Sequence, residues 1–386
     1  MIKFKRTVNF IVCLIYCLTI PFCAYSKSDD NSQIQETTAK SAILINTDTG
    51  DVLYKKNEFE KLSPASVTKI ASLLVIMESL EKDKIKMEDI VTVGENSVEK
   101  GGSQIWLELN EKMTVKDLLK ATVIASANDA CNALAEHIAG SEQAFVKMMN
   151  ERAKELGLKN THFENCTGLD DTVKNHYSCA YDLAIISKEL IKYDTIKNFS
   201  TIWMDYLRNG KTELTNTNKL INKYNGMTGL KTGTTSNAGF CLSATATREH
   251  TSLCAVILGA KTSEDRFNSA KQLLDYGFAN FKTVYPKADE KQISYITVKF
   301  GEIKKFKPIP EKSKCILAKT SSSDIEQEYK IKSKINAPVK KGDCVGYIIY
   351  TCDGKEIARS KLICDKNINK ITVKYLFINL LKNMGC

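Results

Sequence analysis

No C-x-x-C pair occurs in this chain and no Cys/His group stands at zinc spacing. Neither a zinc module nor a metal-dependent enzyme is therefore expected, and no cofactor is assigned. Equally missing is any basic stretch interleaved with aromatics, so nucleic acid is not an expected partner in spite of a formal charge of +10. The excess comes from dispersed lysines and reads as a solvated surface with a weak attraction for anionic lipid or wall polymer. His137, His162, His176 and His250 make no evident triad and are expected at the surface or in hydrogen bonds. Long apolar runs are lacking outside the first residues, which excludes a multi-spanning protein.

What is present is a globular composition, 43% hydrophobic and 26% charged over 386 residues, enough for two domains and small appendages. The start, "MIKFKRTVNFIVCLIYCLTIPFCAYSKS", has a basic region (Lys3, Lys5, Arg6), an apolar run from Phe10 to Ile20 and small residues at Ala24 and Ser26. That pattern predicts a signal peptide over 1–26 and export to the outer face of the cytoplasmic membrane; an uncleaved anchor is the alternative. Of the thirteen cysteines, Cys13, Cys17 and Cys23 lie in the leader, leaving ten without deducible pairing. Disulfides are possible among them, while Cys241 and Cys254, in apolar strand-like runs, read as small core residues.

Residues 27–35 read as a polar stretch, expected to be a flexible lead-in. "KSAILINTDTGDVLYKKN" reads as a hairpin about Asp48-Thr49-Gly50-Asp51, and the period is then mostly helical to about residue 200. Extended runs return at "MTGLKTGTT", "AGFCLSATATRE" and "TSLCAVILGA", followed by the helical "TSEDRFNSAKQLLDYGFANF". Strands at both ends with helices between predict an α+β domain over 36–282, one antiparallel sheet carrying a helical insertion. Short alternating runs over 283–368 predict a small β-rich domain. The tail, 369–386, places Val373, Leu376, Phe377, Leu380, Leu381 and Met384 on one helical face, an amphipathic helix expected on a membrane surface, with docking on its own domain as the alternative.

Within "KLSPASVTKIASLLVIMESL" (61–80), Ile70, Leu73, Leu74 and Met77 fall at the spacing of one buried face of an amphipathic helix. Ser66 and Lys69, three apart near its start, share a face, and burial would favour a neutral, proton-accepting amine. A serine hydroxyl needs such a neighbour to become a nucleophile. Ser126-Ala127-Asn128 and Lys231-Thr232-Gly233 follow. Lys231 would depress the Lys69 pKa, and Ser126 would relay a proton between the two lysines and the leaving group. The amides of Ser66 and Thr234 would receive an oxyanion, Gly233 would let a substrate backbone approach the strand, and Thr232 with a cation would hold a terminal carboxylate. A set of this kind, S-x-x-K, S-x-N and K-T-G in order, is a known signature of penicillin-binding proteins and class A β-lactamases.

With "GGSQIWLELNEKMTVKDLLKATVIASANDA", "ELGLKNTHFENCTGLDD", "HYSCAYDLA", "GMTGLKTGTTSNAGFCLSATA" and "GAKTSEDRF", the chain resembles the D-alanyl-D-alanine carboxypeptidases, the low-molecular-mass penicillin-binding proteins, from about residue 36 to the end. The resemblance implies Ser66 as acylated nucleophile, Lys69 as general base, Ser126 and Asn128 as the second catalytic element, Lys231, Thr232 and Gly233 as the substrate strand, and Arg266 as a ligand of the substrate carboxylate. It implies peptidoglycan pentapeptide stems ending in D-Ala-D-Ala as substrate and β-lactams as covalent inhibitors. Two departures are Ala127, where glycine is common and a positive φ would strain alanine, and Cys166, where proline is frequent. A class A β-lactamase needs an E-x-x-x-N segment on a dedicated loop, and none stands at the expected place, where Glu164 directly precedes Asn165. A wall-binding protein that has lost catalysis would not require the intact set.

Overall fold

In the computed structural model, residues 36–171, 173–311 and 315–383 are described. The leader and lead-in (1–35) and Met384 lie outside them.

Strand β1 (Ser41–Asn46) turns into β2 (Val52–Lys56), as the Asp48–Asp51 turn chemistry predicts. A 3₁₀ turn, Ala65–Thr68, runs directly into α1 (Lys69–Glu81). The helical insertion follows, with a small ladder of β3 (Ile90–Thr92) on β4 (Lys112–Thr114), then α2 (Val115–Ile124), α3 (Asn128–Ala139), α4 (Glu142–Glu155), α5 (Ala180–Leu190) and α6 (Asp194–Ser200). Some of these helix ends have a plain physical reason. Thr114 caps α2 through the Asp117 amide, Ser141 caps α4 through Ala144, and α3 stops at Gly140 in the left-handed region. A hairpin, β5 (Met204–Leu207) with β6 (Thr212–Thr215), precedes the return to the main sheet.

β7 (Met227–Thr235), β8 (Gly239–Arg248) and β9 (Thr251–Ala260) complete a five-stranded sheet in the order β2-β1-β9-β8-β7, antiparallel throughout. The first and last strands in sequence thus meet at its centre, and β7 is left as an edge. α7 (Ser263–Asn280), capped by Thr262 through the Asp265 amide, packs on β9 and β8.

One expectation is corrected. The segment from 61 to 80 is not an amphipathic helix: α1 begins at Lys69 and is buried on nearly every face, from Lys69 through Met77 and again at Ser79. It lies in the middle of the domain, against α3, α4 and α5. A helix in that place needs apolar residues all round, so the Ile70/Leu73/Leu74/Met77 stripe is only part of its buried surface.

Beyond α7 the chain is almost entirely extended. β10 (Phe281–Val284) pairs with β14 (Ile316–Lys319), β11 (Ile296–Lys299) with β12 (Lys305–Phe306) and β16 (Lys334–Asn336), and β13 (Ile309–Pro310), β18 (Lys355–Ile363), β17 (Cys344–Cys352) and β15 (Glu326–Ile331) form a four-stranded sheet. Ile296, Phe306, Val345 and Ile368 centre one small core, and Ile348, Tyr350 and Leu362 a second. α8 (Val373–Asn383) ends the described chain, its Val373, Leu376, Phe377 and Leu380 exposed and its Tyr375 hydroxyl donating to the Glu302 carbonyl. No helix among the described residues is long and apolar enough to cross a membrane.

Candidate active site

The 3₁₀ turn sets Ser66 at the surface end of α1 and drives Lys69 into the interior, where its side chain has no exposed surface. Lys69 Nζ lies 3.0 Å from Ser66 Oγ, 2.5 Å from Asn128 Oδ1 and 2.9 Å from the Thr167 carbonyl oxygen. Two of these partners can only accept: the Thr167 carbonyl, and Asn128 Oδ1, whose amide is oriented by Nδ2 donating to the Gly101 carbonyl. A neutral amine has two N–H groups for those acceptors and one lone pair left, facing the Ser66 hydroxyl. Burial pulls the Lys69 pKa down to about 8, against the opposing pull of Asp129 and the two thiols nearby, so the neutral form is within reach of ordinary pH.

Asn128 opens α3, whose first turn has no side-chain cap. The Asn128 amide donates instead to the Ser103 carbonyl, and the buried Asp129 carboxylate accepts the amides of Ile105 and Leu107. The 101–107 segment is thereby tied to the site. Ala127 carries φ −59, so alanine is unstrained there; the left-handed residue is Ser126, at φ 63. A second, Ala65 at φ 47, immediately precedes the nucleophile, and such positions persist only where the surroundings over-determine them. The Ser126 hydroxyl is nearly buried and makes no hydrogen bond among the described residues.

The edge strand β7 forms the opposite wall. Lys231 is 1% exposed, its Nζ donates to the Thr232 carbonyl, and burial together with the Lys69 and Arg266 charges holds its pKa well below the usual lysine value. Gly233 lies against the turn that carries Ser66. A Cβ there would stand 2.8 Å from the Pro64 carbonyl oxygen and 2.9 Å from the amide nitrogens of Ser66 and Val67, so the close approach it permits is that of the nucleophile's own turn to the strand. Thr232 Oγ1 donates to Thr217 Oγ1 at 2.6 Å, which leaves the Thr217 proton available to a further acceptor. Arg266, from α7, donates through Nη1 to the Gly233 carbonyl, Thr234 Oγ1 and the Cys241 carbonyl. Its Nε is buried without a partner among the described residues, and burial lowers its pKa to about 10.

Thr167, Asp170 and Thr217 are absent from the sequence reading. The 165–170 loop is folded by Asn165, whose Oδ1 accepts the Gly168 amide, and is pinned by Asp170, which accepts from Ser63 Oγ and Thr235 Oγ1. Gly168, at φ +85, permits the loop's contact with Ala65; a Cβ would meet that carbonyl oxygen at 1.8 Å. The nine described cysteines are free thiols, Cys241 and Cys254 buried as expected, so no disulfide exists among them. His176 is buried beneath the site: its Nδ1 accepts the Glu164 amide and its Nε2 donates to Thr68 Oγ1, in keeping with the hydrogen-bonded role expected. A separate cleft of about 490 Å³ at the far end of α1 contains Glu78, Glu81, Arg152 and Tyr193, already bonded to one another or to neighbours, and does not reach these residues.

Residues 27–262 match the family model described as D-alanyl-D-alanine carboxypeptidase, and residues 281–370 that of the penicillin-binding protein 5 C-terminal domain. The chain is 43% identical over 372 residues, 95% of each chain, to D-alanyl-D-alanine carboxypeptidase DacF of Bacillus subtilis. It is 36% identical to DacC of Escherichia coli, over 86% of this chain and 84% of that one. Penicillin-binding protein 5 of Haemophilus influenzae superposes with a TM-score of 0.78 at 32% identity, over 87% of this chain and 99% of that one. Sequence, fold and the placement of the three motifs agree, and the chain belongs to the D-alanyl-D-alanine carboxypeptidase family of penicillin-binding serine peptidases.

Proposed function

We propose that this protein is a serine carboxypeptidase that removes the terminal D-alanine from peptidoglycan pentapeptide stems, and that β-lactams acylate the same serine. The observation that carries the proposal is the Lys69 amine, held by two obligate acceptors with its third direction on Ser66 Oγ at 3.0 Å. Neutral Lys69 takes the Ser66 proton as Oγ attacks the carbonyl of the penultimate D-alanine. The oxyanion is received by the backbone amides of Ser66 and Thr234. Collapse of the tetrahedral intermediate breaks the peptide bond, the proton that Lys69 took from Ser66 passes through Ser126 to the leaving amine, and water then hydrolyses the ester, restoring the Ser66 hydroxyl. Asn128 orients Lys69, Thr232 acts on the terminal carboxylate through the Thr217 hydroxyl to which it donates, Arg266 adds positive charge on the same side through Thr234, and Gly233 keeps the strand against the nucleophile's turn.

The rival reading as a class A-like β-lactamase lacks support at the deacylating position. Glu164 is exposed and its carboxylate accepts the amides of Lys174 and Asn175, away from Ser66. Labelling by a fluorescent penicillin, with Ser66→Ala as control, followed by D-alanine release from a pentapeptide, tests the proposal. Label on the wild type alone with D-alanine release is expected; absence of label contradicts the acyl-enzyme.

We place the catalytic domain at 36–282, the β-rich domain at 283–368 and a membrane-surface helix at 369–386, on the outer side of the cytoplasmic membrane. The exposed Val373, Leu376, Phe377 and Leu380 support the last assignment.

A further inference from the structure

Trp106 stands 76% exposed on the segment that borders Asn128, and the catalytic chemistry leaves it unused. It is not a loosely held side chain on a loop. The Ile105 and Leu107 amides donate to the buried Asp129 carboxylate. The Ile105 and Trp106 carbonyls accept from Arg208, which is itself fixed by Glu111 through both Nε and Nη2. Between these clamps Trp106 adopts φ 56, a left-handed conformation that is uncommon for a bulky side chain. An apolar side chain of this size, held outward by a left-handed backbone whose carbonyl and flanking amides are bonded, on the segment that borders Asn128, is the reverse of what stability alone would select.

Reach identifies what meets it. Trp106 is three residues from Ser103, whose carbonyl accepts the Asn128 amide, which is at most about 11 Å of chain. Four residues of stem, from the scissile bond back to the sugar, span about 14 Å. A rigid indole offers a flat apolar face and a polar N–H, the chemistry that suits a ring with an apolar C–H face and hydroxyl edges. We infer that Trp106 is a specificity residue that stacks on a saccharide ring of the glycan bearing the stem peptide. The inference rests on the peptidoglycan reading above and assigns to it the sugar end of the substrate.

The test compares Trp106→Ala and Trp106→Phe with wild type on a free pentapeptide, on a disaccharide-pentapeptide and on a fluorescent penicillin. The alanine variant is expected to lose about tenfold in kcat/KM on the disaccharide-pentapeptide, through KM, and to stay within about twofold on the other two; phenylalanine recovers most of the loss. Equal effects on both peptides, or none, overturn the inference. Binding is read separately in a Trp203→Phe background, where Trp106 is the remaining indole. Disaccharide-pentapeptide should quench its fluorescence and free pentapeptide should not; no quenching overturns the inference even if D-alanine is released. Failure of wild type to release D-alanine from either peptide sinks the carboxypeptidase reading, with the quenching still deciding the role of Trp106.

Discussion

At the scale of single residues the account rests on protons. Lys69 must be neutral to accept one, and its pKa is lowered to about 8 by burial, so penicillin acylation should rise with pH and level off above about 8. Stopped-flow acylation between pH 6 and 9.5 reads this directly, and Lys69→Ala should lose at least about a thousandfold. His176 gives a second, independent expectation. Burial lowers its pKa from 6.5 to about 4, so on acidification the unfolded chain takes up a proton that the folded chain refuses. Stability is then fully present above pH 6.5 and is lost as pH falls toward 4, by about 3 kcal/mol from this group. Denaturant unfolding at pH 7 and pH 4.5 should show a smaller acid penalty for His176→Asn than for wild type. The side chains of this site were legible in the sequence because a hydroxyl, an amine and an amide at fixed spacing carry distinctive chemistry. The Thr167 carbonyl was not, since every residue has one and only the fold decides which points at Lys69.

At the scale of elements, the site is the meeting of a 3₁₀ turn, a helix start, a loop and a sheet edge. The tightest of these contacts is β7 against the Ser66 turn at Gly233. Gly233→Ala should fold, with a modest fall in melting temperature, and should lose about a hundredfold in acylation because the strand is displaced from the nucleophile. Thermal unfolding and penicillin labelling on the same preparation separate the two effects. Strands β7, β8 and β9 were readable from their β-branched runs, but β15, "EQEYKI", was not, because charged residues on an edge strand hide its period. The extent of burial of α1 was hidden for a related reason. Its apolar residues continue round the helix, and a stripe read from spacing alone does not reveal burial on the remaining faces.

For the whole molecule, catalysis and the proposed membrane attachment fall on separate parts of the chain. Deleting residues 371–386 should move the protein from membrane to soluble fractions while leaving penicillin acylation within about twofold, as fractionation followed by labelling would show. The general architecture was legible because strands at both ends of a helical stretch have few ways to close other than side by side, as β1 and β9 do. How β10 to β18 divide among small sheets was not, since short strands of similar composition allow many pairings. The central claim, a serine activated by a buried neutral lysine, is tested most directly by intact-mass analysis after penicillin treatment, with peptide mapping of the adduct. One equivalent of penicilloyl ester is expected on the peptide containing Ser66, formed slowly or not at all in Lys69→Ala. An adduct on any other residue, or undiminished acylation without Lys69, would contradict it.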